Sequence, residues 1–387
     1  MTAPDDSSLV AVLLPGPAAA AAVRRIWDTG MAATIVDPAH PDPVPILDRL
    51  APTHVLDADG THRRPGGRPV PAGVGAVVTT SGTTGAPRAV MLDHAALAHS
   101  ARAVTTALDL DPATHRWLAC LPLHHVAGLA IVARAHVTGT ALTVHSRFSV
   151  DAVAAAADPA TVVSLVPTTL ARLLEHDAAA VGRFHTVLLG GGPIPLALRE
   201  RAAAAGTRVV TTYGLTETGG GCVHDGHPLA DVTIELAPGT GEVLVRGPVL
   251  LRGLRLGDRD AVRTDTAWAT GDVGAWAPDG RLTIVDRLKD LIITGGVNVS
   301  PTRVENALRG PDLVDLAVAG APDDEWGERV VAWVVPVDRA PSVAALRDRG
   351  RGAGLTTAEL PREVRVLDAV PRSPGGKVLR RLLRDRP

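Results

Sequence analysis

The sequence is poor in several residue types, and each shortage excludes a class of protein. Its 387 residues include two lysines, two cysteines, one tyrosine and two phenylalanines, and the net charge is −2. This charge gives no basic surface for nucleic acid. Cys120 and Cys222 fit no metal or disulfide spacing, which indicates a reducing compartment. Apolar runs stay below the ~18 residues of a membrane span, so a cytoplasmic protein is expected.

The scarcity of lysine makes the two that remain informative. A chain with 39 Lys and Arg residues has lysine only at Lys289 and Lys377. Arginine is a planar fork, whereas lysine is a compact point charge on a flexible stem, so a site that needs one cation at one oxygen distinguishes them. Both lysines are therefore candidate functional residues.

Apolar, strand-like segments alternate with alanine-rich, helix-like segments through the first half of the chain. The alternation predicts an α/β fold with mixed and largely parallel sheets flanked by helices. From Asp231, short strands and Gly/Pro turns predict a small β subdomain, and after Asp286 a mixed α+β pattern predicts a small mobile domain. We place the N-terminal domain at residues 1–287 and the C-terminal domain at 288–387, with a hinge at their junction. The Pro/Gly/Arg-rich segment His62–Gly73 is expected to be a loop.

The stretch Thr79–Val90, TTSGTTGAPRAV, directly follows the apolar run Val74–Val78. Its hydroxyls and glycines predict a concave surface of hydrogen-bond donors that suits phosphate oxygens. It lacks the lysine of the Walker motif, because Ala-Pro-Arg follows Gly85. For this segment alone, an ordinary turn is the alternative.

Three further segments combine glycines with single polar groups. Thr212–Gly219, TYGLTETG, brings a ring, a hydroxyl and a carboxylate to a strand end, where α/β sheets bind ligands. These groups suit base stacking, a phosphate contact and Mg²⁺. Asp272 in ATGD and Arg287 in DRLKDLIITGGVNVSP suit ribose hydroxyls, and two glycines in PRSPGGKVLR let Lys377 reach out. Each segment alone is also compatible with a turn or a solvated loop.

Together and in this order, the motifs resemble the acyl-CoA synthetase, adenylation-domain and luciferase superfamily of adenylate-forming enzymes. The resemblance extends from Val74 to Arg381 and includes DDEWGERVVAW at Asp323–Trp333, which is similar to the family's C-terminal domain. It implies ATP, Mg²⁺ and coenzyme A as cofactors. It also implies two steps, in which a carboxylate and ATP give acyl-AMP and pyrophosphate, and coenzyme A then converts acyl-AMP to acyl-CoA and AMP. Because the phosphate loop begins as early as Thr79, an abbreviated N-terminal region is expected.

The resemblance implies roles for individual residues. The catalytic set is Lys377 for adenylation, Thr216 at the α-phosphate, Glu217 as the Mg²⁺ ligand and His125 in the acyl pocket. The implied cofactor contacts are Thr80, Ser81, Gly82, Thr83, Thr84, Gly85 and Arg88 for phosphates; Gly190, Gly191 and Gly192 for the adenine and acyl pocket; Tyr213 and Gly214 for adenine; Asp272 and Arg287 for ribose; Lys289 for the hinge; and Gly295 and Gly296 for thioester formation.

Two segments resemble substrate-pocket motifs of a subfamily. Leu121–Gly128, LPLHHVAG, is similar to the acyl-pocket motif, and Gly219–Leu229, GGGCVHDGHPL, is similar to the GGCVYDGxPL of o-succinylbenzoate:CoA ligases in menaquinone biosynthesis. That substrate has a benzoate and a succinyl carboxylate, so a buried cation is useful. Arg134, on the helix predicted after the histidine pair, is the candidate.

The sequence departs from the family pattern at two motifs. Arg88 and Ala89 stand where Lys and Gly are usual in the phosphate loop, and His224 stands at the tyrosine of GGCVYDGxPL. The first change follows the general use of arginine in this chain. The second leaves open an acyl- or aryl-CoA ligase for another carboxylic acid of specialised metabolism.

Two functions of other kinds also stay open. One is an adenylation enzyme that loads a carrier protein without coenzyme A, and the other is a binding protein on a decayed scaffold. The retention of Glu217 and Lys377 argues against decay. The expected partners are therefore a small carboxylic acid, ATP and CoA, with no nucleic acid and no membrane span, and with a homodimer as the expected assembly.

Overall fold

A computed structural model describes residues 7–80, 88–257, 259–372 and 378–384. The helices in these ranges are α1 (Gly16–Asp28), α2 (Val44–Leu50), α3 (His94–Ala107), α4 (Val126–Thr138), α5 (Val150–Ala155), α6 (Pro167–His176), α7 (Ala178–Gly182), α8 (Leu196–Ala204), α9 (Pro301–Leu308), α10 (Val343–Gly352) and α11 (Arg381–Arg384). Short 3₁₀ helices span Thr216–Thr218 and Leu288–Asp290. None of the helices in the described ranges is long and apolar enough to cross a membrane.

The strands follow the helices in close alternation up to residue 215 and dominate after it. They are β1 (Leu9–Val12), β2 (Ala32–Ile35), β3 (His54–Asp57), β4 (Gly60–Arg63), β5 (Val74–Thr80), β6 (Arg88–Asp93), β7 (Arg116–Ala119), β8 (Ala141–Val144), β9 (Thr161–Leu165), β10 (Thr186–Gly190), β11 (Val209–Leu215), β12 (Gly220–His224), β13 (His227–Pro228), β14 (Thr233–Leu236), β15 (Glu242–Arg246), β16 (Gly253–Leu256), β17 (Arg259–Val262), β18 (Ala267–Trp276), β19 (Leu282–Arg287), β20 (Ile292–Thr294), β21 (Val297–Val299), β22 (Leu313–Asp323), β23 (Gly327–Pro336) and β24 (Glu363–Val366).

The chain divides into two compact units, of which the first comprises residues 1–234 and 245–268. Its described strands form an eight-stranded sheet in the order β17-β16-β6-β5-β2-β1-β3-β4 and a seven-stranded sheet in the order β13-β12-β11-β10-β9-β7-β8. In the second sheet β7 to β11 are parallel, and β12 turns back antiparallel to β11. Parallel strands buried on both faces need continuous apolar runs, which explains the Val/Leu-rich segments of the sequence.

Helices cover both faces of the seven-stranded sheet. On one face, residues of β7, β9 and β10 such as Leu118, Val163 and Leu189 pack with α6 residues Leu170 and Leu173 in one buried cluster. α3 and α4 pack against each other and against β12 on the other face. The α/β fold predicted from the sequence is therefore confirmed, because a two-layered covering of parallel strands requires the alternation that the sequence displays.

The second unit comprises residues 235–244 and 269–387. Its described strands β20 to β24 form a mixed sheet in which β22 and β23 make a long antiparallel pair and β24 joins β23 in parallel. One face packs on α9 and α10 through Val304, Leu308 and Leu346. Residues 235–244 and 269–287 group here by proximity; the boundary at residue 287 and the mobility of the C-terminal domain stay predictions.

The segment His62–Gly73 is less loop-like than expected. It begins within strand β4, and Val70 is buried at 4% exposure. The buried guanidinium of Arg255 donates to the carbonyl oxygens of Arg68 and Pro69 at 2.7 and 3.1 Å. A buried side chain far along the sequence thus fixes backbone that looks like a solvated loop.

Candidate active site

The candidate active site lies at the carboxyl edge of the seven-stranded sheet. β7, β9, β10 and β11 run parallel, so the segments that follow them meet at the same edge of the sheet. The histidine pair follows β7, Gly190 ends β10 and is followed by Gly191 and Gly192, and Tyr213 lies near the carboxyl end of strand β11, before Glu217. The topology therefore brings together segments that are far apart in the sequence, from His124 to Glu217.

Glycine is required at this edge because neighbouring backbone approaches closely. A Cβ on Gly190 would lie 2.6 Å from the carbonyl oxygen of Thr212, and one on Gly214 would lie 1.9 Å from that of Gly220. Gly191 has a φ of +80°, which L side chains rarely adopt. Gly192 is exposed with open space at its Cα. These positions keep the ends of β10 and β11 free of side chains.

Thr216 and Glu217 occupy the 3₁₀ turn that follows β11. The Thr218 hydroxyl fixes this turn, since it donates to the carbonyl oxygen of Gly220 at 2.6 Å and accepts from the Leu215 N–H at 2.9 Å. The Glu217 carbonyl oxygen accepts from the Leu251 N–H at 2.8 Å. With its backbone held, the Glu217 carboxylate has no hydrogen-bond or ion-pair partner among the described residues.

Thr80 and Arg88 face each other across the β5–β6 hairpin. The Thr80 hydroxyl accepts from the Arg88 N–H at 3.3 Å, so the end of β5 and the start of β6 are held together. The predicted residues Ser81, Gly82, Thr83, Thr84 and Gly85 lie outside the described ranges, and so does Lys377.

His124 and His125 lie side by side before α4, with ring centroids 4.3 Å apart. Burial lowers the pKa of both imidazoles, and for His125 the neighbouring His124 lowers it further. The turn that carries them is tight, because a Cβ on Gly128 would lie 2.3 Å from the carbonyl oxygen of Pro122. Both rings are therefore neutral near pH 7 and available as hydrogen-bonding groups.

The remaining predicted residues lie in the second unit. Asp272 and Arg287 are cross-strand partners on β18 and β19, and Arg287 Nε lies 2.6 Å from Asp272 Oδ1. Asp272 is buried while Arg287 is partly exposed. Lys289 is exposed in the 3₁₀ turn that follows β19. The two residues are thus close together, and their role at the ribose stays a prediction.

Gly295 and Gly296 form the β20–β21 turn, with φ of +56° and +78°. The Gly295 N–H donates to the Trp326 carbonyl oxygen at 2.8 Å, and a Cβ on Gly295 would lie 2.7 Å from the indole ring. The turn therefore requires glycine at its first position. It packs on a tryptophan that the sequence patterns did not single out.

A cluster of buried polar side chains under α4 was only partly foreseen. His224, Thr212, Trp117 and Arg134 each have a buried side-chain polar atom with no hydrogen-bond partner among the described residues. Arg134 lies 5.1 Å from the centre of the Trp117 ring, a cation–π distance. Its guanidinium is buried, with no carboxylate in the described ranges to pair with it. The sequence predicts Arg134 as a cation for the substrate and has His224 as a departure from the family pattern, but no local pattern places the two residues near each other.

A cavity of about 630 Å³ opens elsewhere in the first unit, between α3 and the β12–β13 hairpin. Its lining includes Arg102 and Thr106 of α3, Arg208 and Val210 at the amino end of β11, and His224 at the end of β12. Its lining reaches from the amino end of β11 to His224, the cross-strand partner of Thr212, and does not include Tyr213, Gly190 to Gly192 or Glu217.

A parallel α/β sheet whose carboxyl edge carries glycines, a tyrosine and an unpaired carboxylate defines a nucleotide-binding type of enzyme. The model of the AMP-binding enzyme family matches residues 6–254, and that of the AMP-binding enzyme C-terminal domain matches residues 303–377. The chain belongs to the AMP-binding enzyme family.

Several similar proteins are acid:CoA ligases by name. A probable 2-succinylbenzoate–CoA ligase of Mycobacterium tuberculosis is 40% identical over 326 residues, which cover 80% of this chain and 84% of the relative. A feruloyl-CoA synthase of an Amycolatopsis species is 32% identical over 401 residues, covering 94% and 80%. The structure of the o-succinylbenzoate CoA synthetase of Bacillus subtilis with the acyl-adenylate OSB-AMP superposes with a TM-score of 0.82 at 27% identity, covering 99% of this chain and 89% of the other.

Proposed function

We propose that the protein is an AMP-forming acid:CoA ligase that activates o-succinylbenzoate with ATP and transfers the acyl group to coenzyme A. The names of the relatives and the bound acyl-adenylate of the similar structure support this substrate. The observation in the chain itself that carries the proposal is the buried cation Arg134, which lies on α4, the helix directly after the histidine pair.

Arg134 fits a substrate with a second carboxylate. A buried charge costs several kcal/mol unless an opposite charge compensates it. Burial away from water lowers the pKa of the Arg134 guanidinium to about 10, and no carboxylate of the described residues raises it. A substrate carboxylate supplies the missing counter-charge. o-Succinylbenzoate has one carboxylate to activate and a second, on the ring, for recognition.

The first half-reaction forms a bond between a substrate carboxylate oxygen and the α-phosphorus of ATP, and pyrophosphate leaves. We assign Tyr213 to stacking on adenine and Thr216 to the α-phosphate, both at the carboxyl edge of the sheet. Asp272 and Arg287, already paired, are assigned to the ribose hydroxyls. In the second half-reaction the sulfur of coenzyme A bonds to the acyl carbon and AMP leaves.

Glu217 suits Mg²⁺ in this site. Its carboxylate is unpaired among the described residues and follows a rigid turn, and no cluster of three metal-binding side chains is found in the described ranges. A lone carboxylate is typical of Mg²⁺ held mainly by substrate phosphates and water. Bound there, the ion would neutralise phosphate charge; Glu217 itself holds and orients it.

Lys377 is the residue we assign to the adenylation step alone. A point cation at the transferring group is typically worth about 3 kcal/mol. Lys377→Ala is expected to lower pyrophosphate release from ATP and acid by about 100-fold or more. Thioester formation from preformed acyl-AMP is expected to stay near the wild-type rate, as measured by acyl-CoA production. Equal loss of both half-reactions contradicts the assignment.

The experiment that tests the function is a pyrophosphate-release assay over carboxylic acids, each with and without coenzyme A. We expect turnover with o-succinylbenzoate, with acyl-CoA formed only when coenzyme A is present. Activity with another acid and none with o-succinylbenzoate would overturn the substrate. Acyl-AMP accumulation with transfer to a pantetheinylated carrier but not to coenzyme A would overturn the acceptor.

An aryl-CoA ligase for a monocarboxylic acid is the second candidate. It is supported by the feruloyl-CoA synthase relative, whose match covers 94% of this chain. It leaves Arg134 without a counter-charge, which is why we place it second. Ferulate is therefore the first competitor acid in the assay.

The proposal includes a cytoplasmic enzyme and a homodimer. Both cysteines are free thiols and buried, which agrees with a reducing compartment. Size measurement by light scattering tests the assembly: a mass of about one chain, 39.9 kDa, would contradict the dimer.

A further inference from the structure

His224 is a buried histidine that the mechanism above leaves unused. It is 7% exposed, and neither ring nitrogen has a hydrogen-bond partner among the described residues. An imidazole buried with both nitrogens unsatisfied is costly in a purely structural role. The ring therefore calls for a polar partner from outside the described chain.

The neighbours of His224 point to the identity of that partner. Thr212 is its cross-strand partner on β11, so the two side chains share one face of the sheet. A Cβ on Gly221 would lie 1.9 Å from the Thr212 hydroxyl oxygen and 3.6 Å from His224 Nε2. The absence of that Cβ leaves both polar atoms together in one small buried patch.

The patch lies under α4, where Arg134 is. A Cβ on Gly220, in the same strand as His224, would be 3.5 Å from Ala130, which lies one helical turn before Arg134. The Arg134 guanidinium is close enough to lower the pKa of His224 further, after burial, to about 4. The imidazole is therefore neutral near pH 7 and offers one N–H donor beside a cation that has no counter-charge.

We propose that His224 donates a hydrogen bond to the second carboxylate of the substrate and, together with Arg134, selects dicarboxylic over monocarboxylic acids. This rests on the proposed function. A carboxylate accepts about four hydrogen bonds, so one guanidinium leaves capacity for an imidazole N–H and the Thr212 hydroxyl. A substrate that lacks the second carboxylate leaves these buried donors without an acceptor, which weakens its binding.

The alternative is that the His224 ring only fills space and makes no hydrogen bond to the substrate. Histidine at this position stands where the similar stretch has tyrosine, and a ring of either kind fills volume. A space-filling role predicts no difference between substrates with and without the second carboxylate. The two roles therefore separate in a comparison of two acids.

The test compares o-succinylbenzoate with 4-oxo-4-phenylbutanoate, the same acid without the ring carboxylate. The readout is the ratio of their kcat/KM values in pyrophosphate release. His224→Phe keeps the ring but removes both nitrogens, and it is expected to lower the ratio by about 10- to 100-fold, mainly through KM for o-succinylbenzoate. His224→Gln, which retains an N–H donor, is expected to restore part of it.

His227→Phe is the matched control, because His227 pairs with His224 in the β12–β13 hairpin and is exposed. It should leave the ratio at the wild-type value. An unchanged ratio in His224→Phe, or an equal loss with both acids, overturns the inference. Thermal unfolding of each variant shows whether it is folded.

A second measurement keeps the inference testable if o-succinylbenzoate is not a substrate. Histidine-selective NMR follows the His224 ring, assigned with His224→Phe, while the acid that the wild type does activate is added with the stable analogue α,β-methylene-ATP. The ring signals are expected to shift with a dicarboxylic acid. Failure of wild-type turnover with o-succinylbenzoate refutes the substrate alone, whereas an unmoved His224 signal with the true substrate refutes the role of His224.

Discussion

Two arginines of the first unit, Arg255 and Arg134, are both buried but differ in their hydrogen-bond partners. Both side chains are removed from water, which lowers the pKa of each to about 10. Arg255 donates to the carbonyl oxygens of Leu50 and Ala51 at 2.5 and 3.0 Å, and also to those of Arg68 and Pro69. Its Nη1 lies 3.4 Å from the Asp260 carboxylate. Arg134 has an unpaired Nε and no carboxylate partner in the described ranges.

The difference shows how a structural charge is distinguished from a binding charge. Arg255 uses its five N–H donors within the chain and ties residues 50–69 to β16. Arg134 retains donors for something else, in a place where His224 and Thr212 also have unpaired polar atoms. Stability is expected to depend on the first arginine and substrate binding on the second.

The largest effect is expected on stability in Arg255→Met. The substitution leaves four carbonyl oxygens without this donor and removes one of the two arginines that pair with Asp260, so the free energy of unfolding should fall by about 4 kcal/mol. Urea unfolding followed by circular dichroism measures it. The exposed Arg259→Met in the adjacent strand is the control and should change stability by less than about 0.5 kcal/mol. If the free energy of unfolding of Arg255→Met fell by less than about 1 kcal/mol, the structural role of Arg255 would be contradicted.

Arg134→Met is expected to act on binding instead. Loss of the cation that we propose for the second carboxylate should lower kcat/KM for o-succinylbenzoate by about 100- to 1000-fold. Stability should stay equal or rise, because an uncompensated buried charge is removed. Pyrophosphate release and urea unfolding are measured on the same samples, with the exposed Arg102→Met as control. A variant that unfolds easily yet keeps its kcat/KM reverses the two roles.

The cation should also make stability depend on pH through His224. The folded pKa of His224, about 4, lies below its ordinary value of 6.5 because of burial and then Arg134, with Asp225 opposing. The unfolded state therefore binds more protons below pH 6.5, so stability is lost as the pH falls from 6.5 towards 4. The loss amounts to about 3 kcal/mol.

Urea unfolding of wild type and His224→Phe between pH 7 and pH 4.5 measures this contribution, since the variant lacks the titrating ring. The difference between the two proteins should change in favour of the variant as the pH falls. In an Arg134→Met background the change should be smaller. A difference that stays constant with pH means that His224 does not titrate in this range.

The smallest effect is expected at two adjacent threonines that repeat the comparison. The Thr211 hydroxyl donates to Asp225 at 2.9 Å, whereas the Thr212 hydroxyl has no partner among the described residues. Thr211→Val should lower the free energy of unfolding by about 1 kcal/mol and leave kcat/KM unchanged. Thr212→Val should lower kcat/KM for o-succinylbenzoate by about 5-fold without loss of stability. The same result for both variants would remove the distinction.

Much of the fold was predictable because buried parallel strands need apolar runs and helices need amphipathic ones. The apolar run Val74–Val78, for example, lies within strand β5. The hairpin strand β6, whose apolar residues 89–92 follow a glycine-rich loop, was not predicted as a strand. Its partner β16 comes from residues 253–256, and no local pattern indicates such a distant pairing.

Part of the site was predictable for a similar reason. Glycines, Tyr213 and Glu217 are close in sequence to the strand ends that carry them, and their types suit nucleotide chemistry. The pairing of Asp272 with Arg287 is less local, but both ends lie in one antiparallel pair of strands. The motifs therefore indicated the kind of chemistry before the geometry was known.

By itself, the sequence determined the α/β class, the family and the residue types of the candidate site, because these depend on residue type and local spacing. Only the tertiary structure decided which of two buried arginines is satisfied, since hydrogen-bond partners come from segments up to about 200 residues away. The same holds for His224, which sequence alone presented as a substitution at a tyrosine position. Its unpaired ring beside Thr212 and near Arg134 results from the pairing of β11 with β12 and the packing of α4 over them.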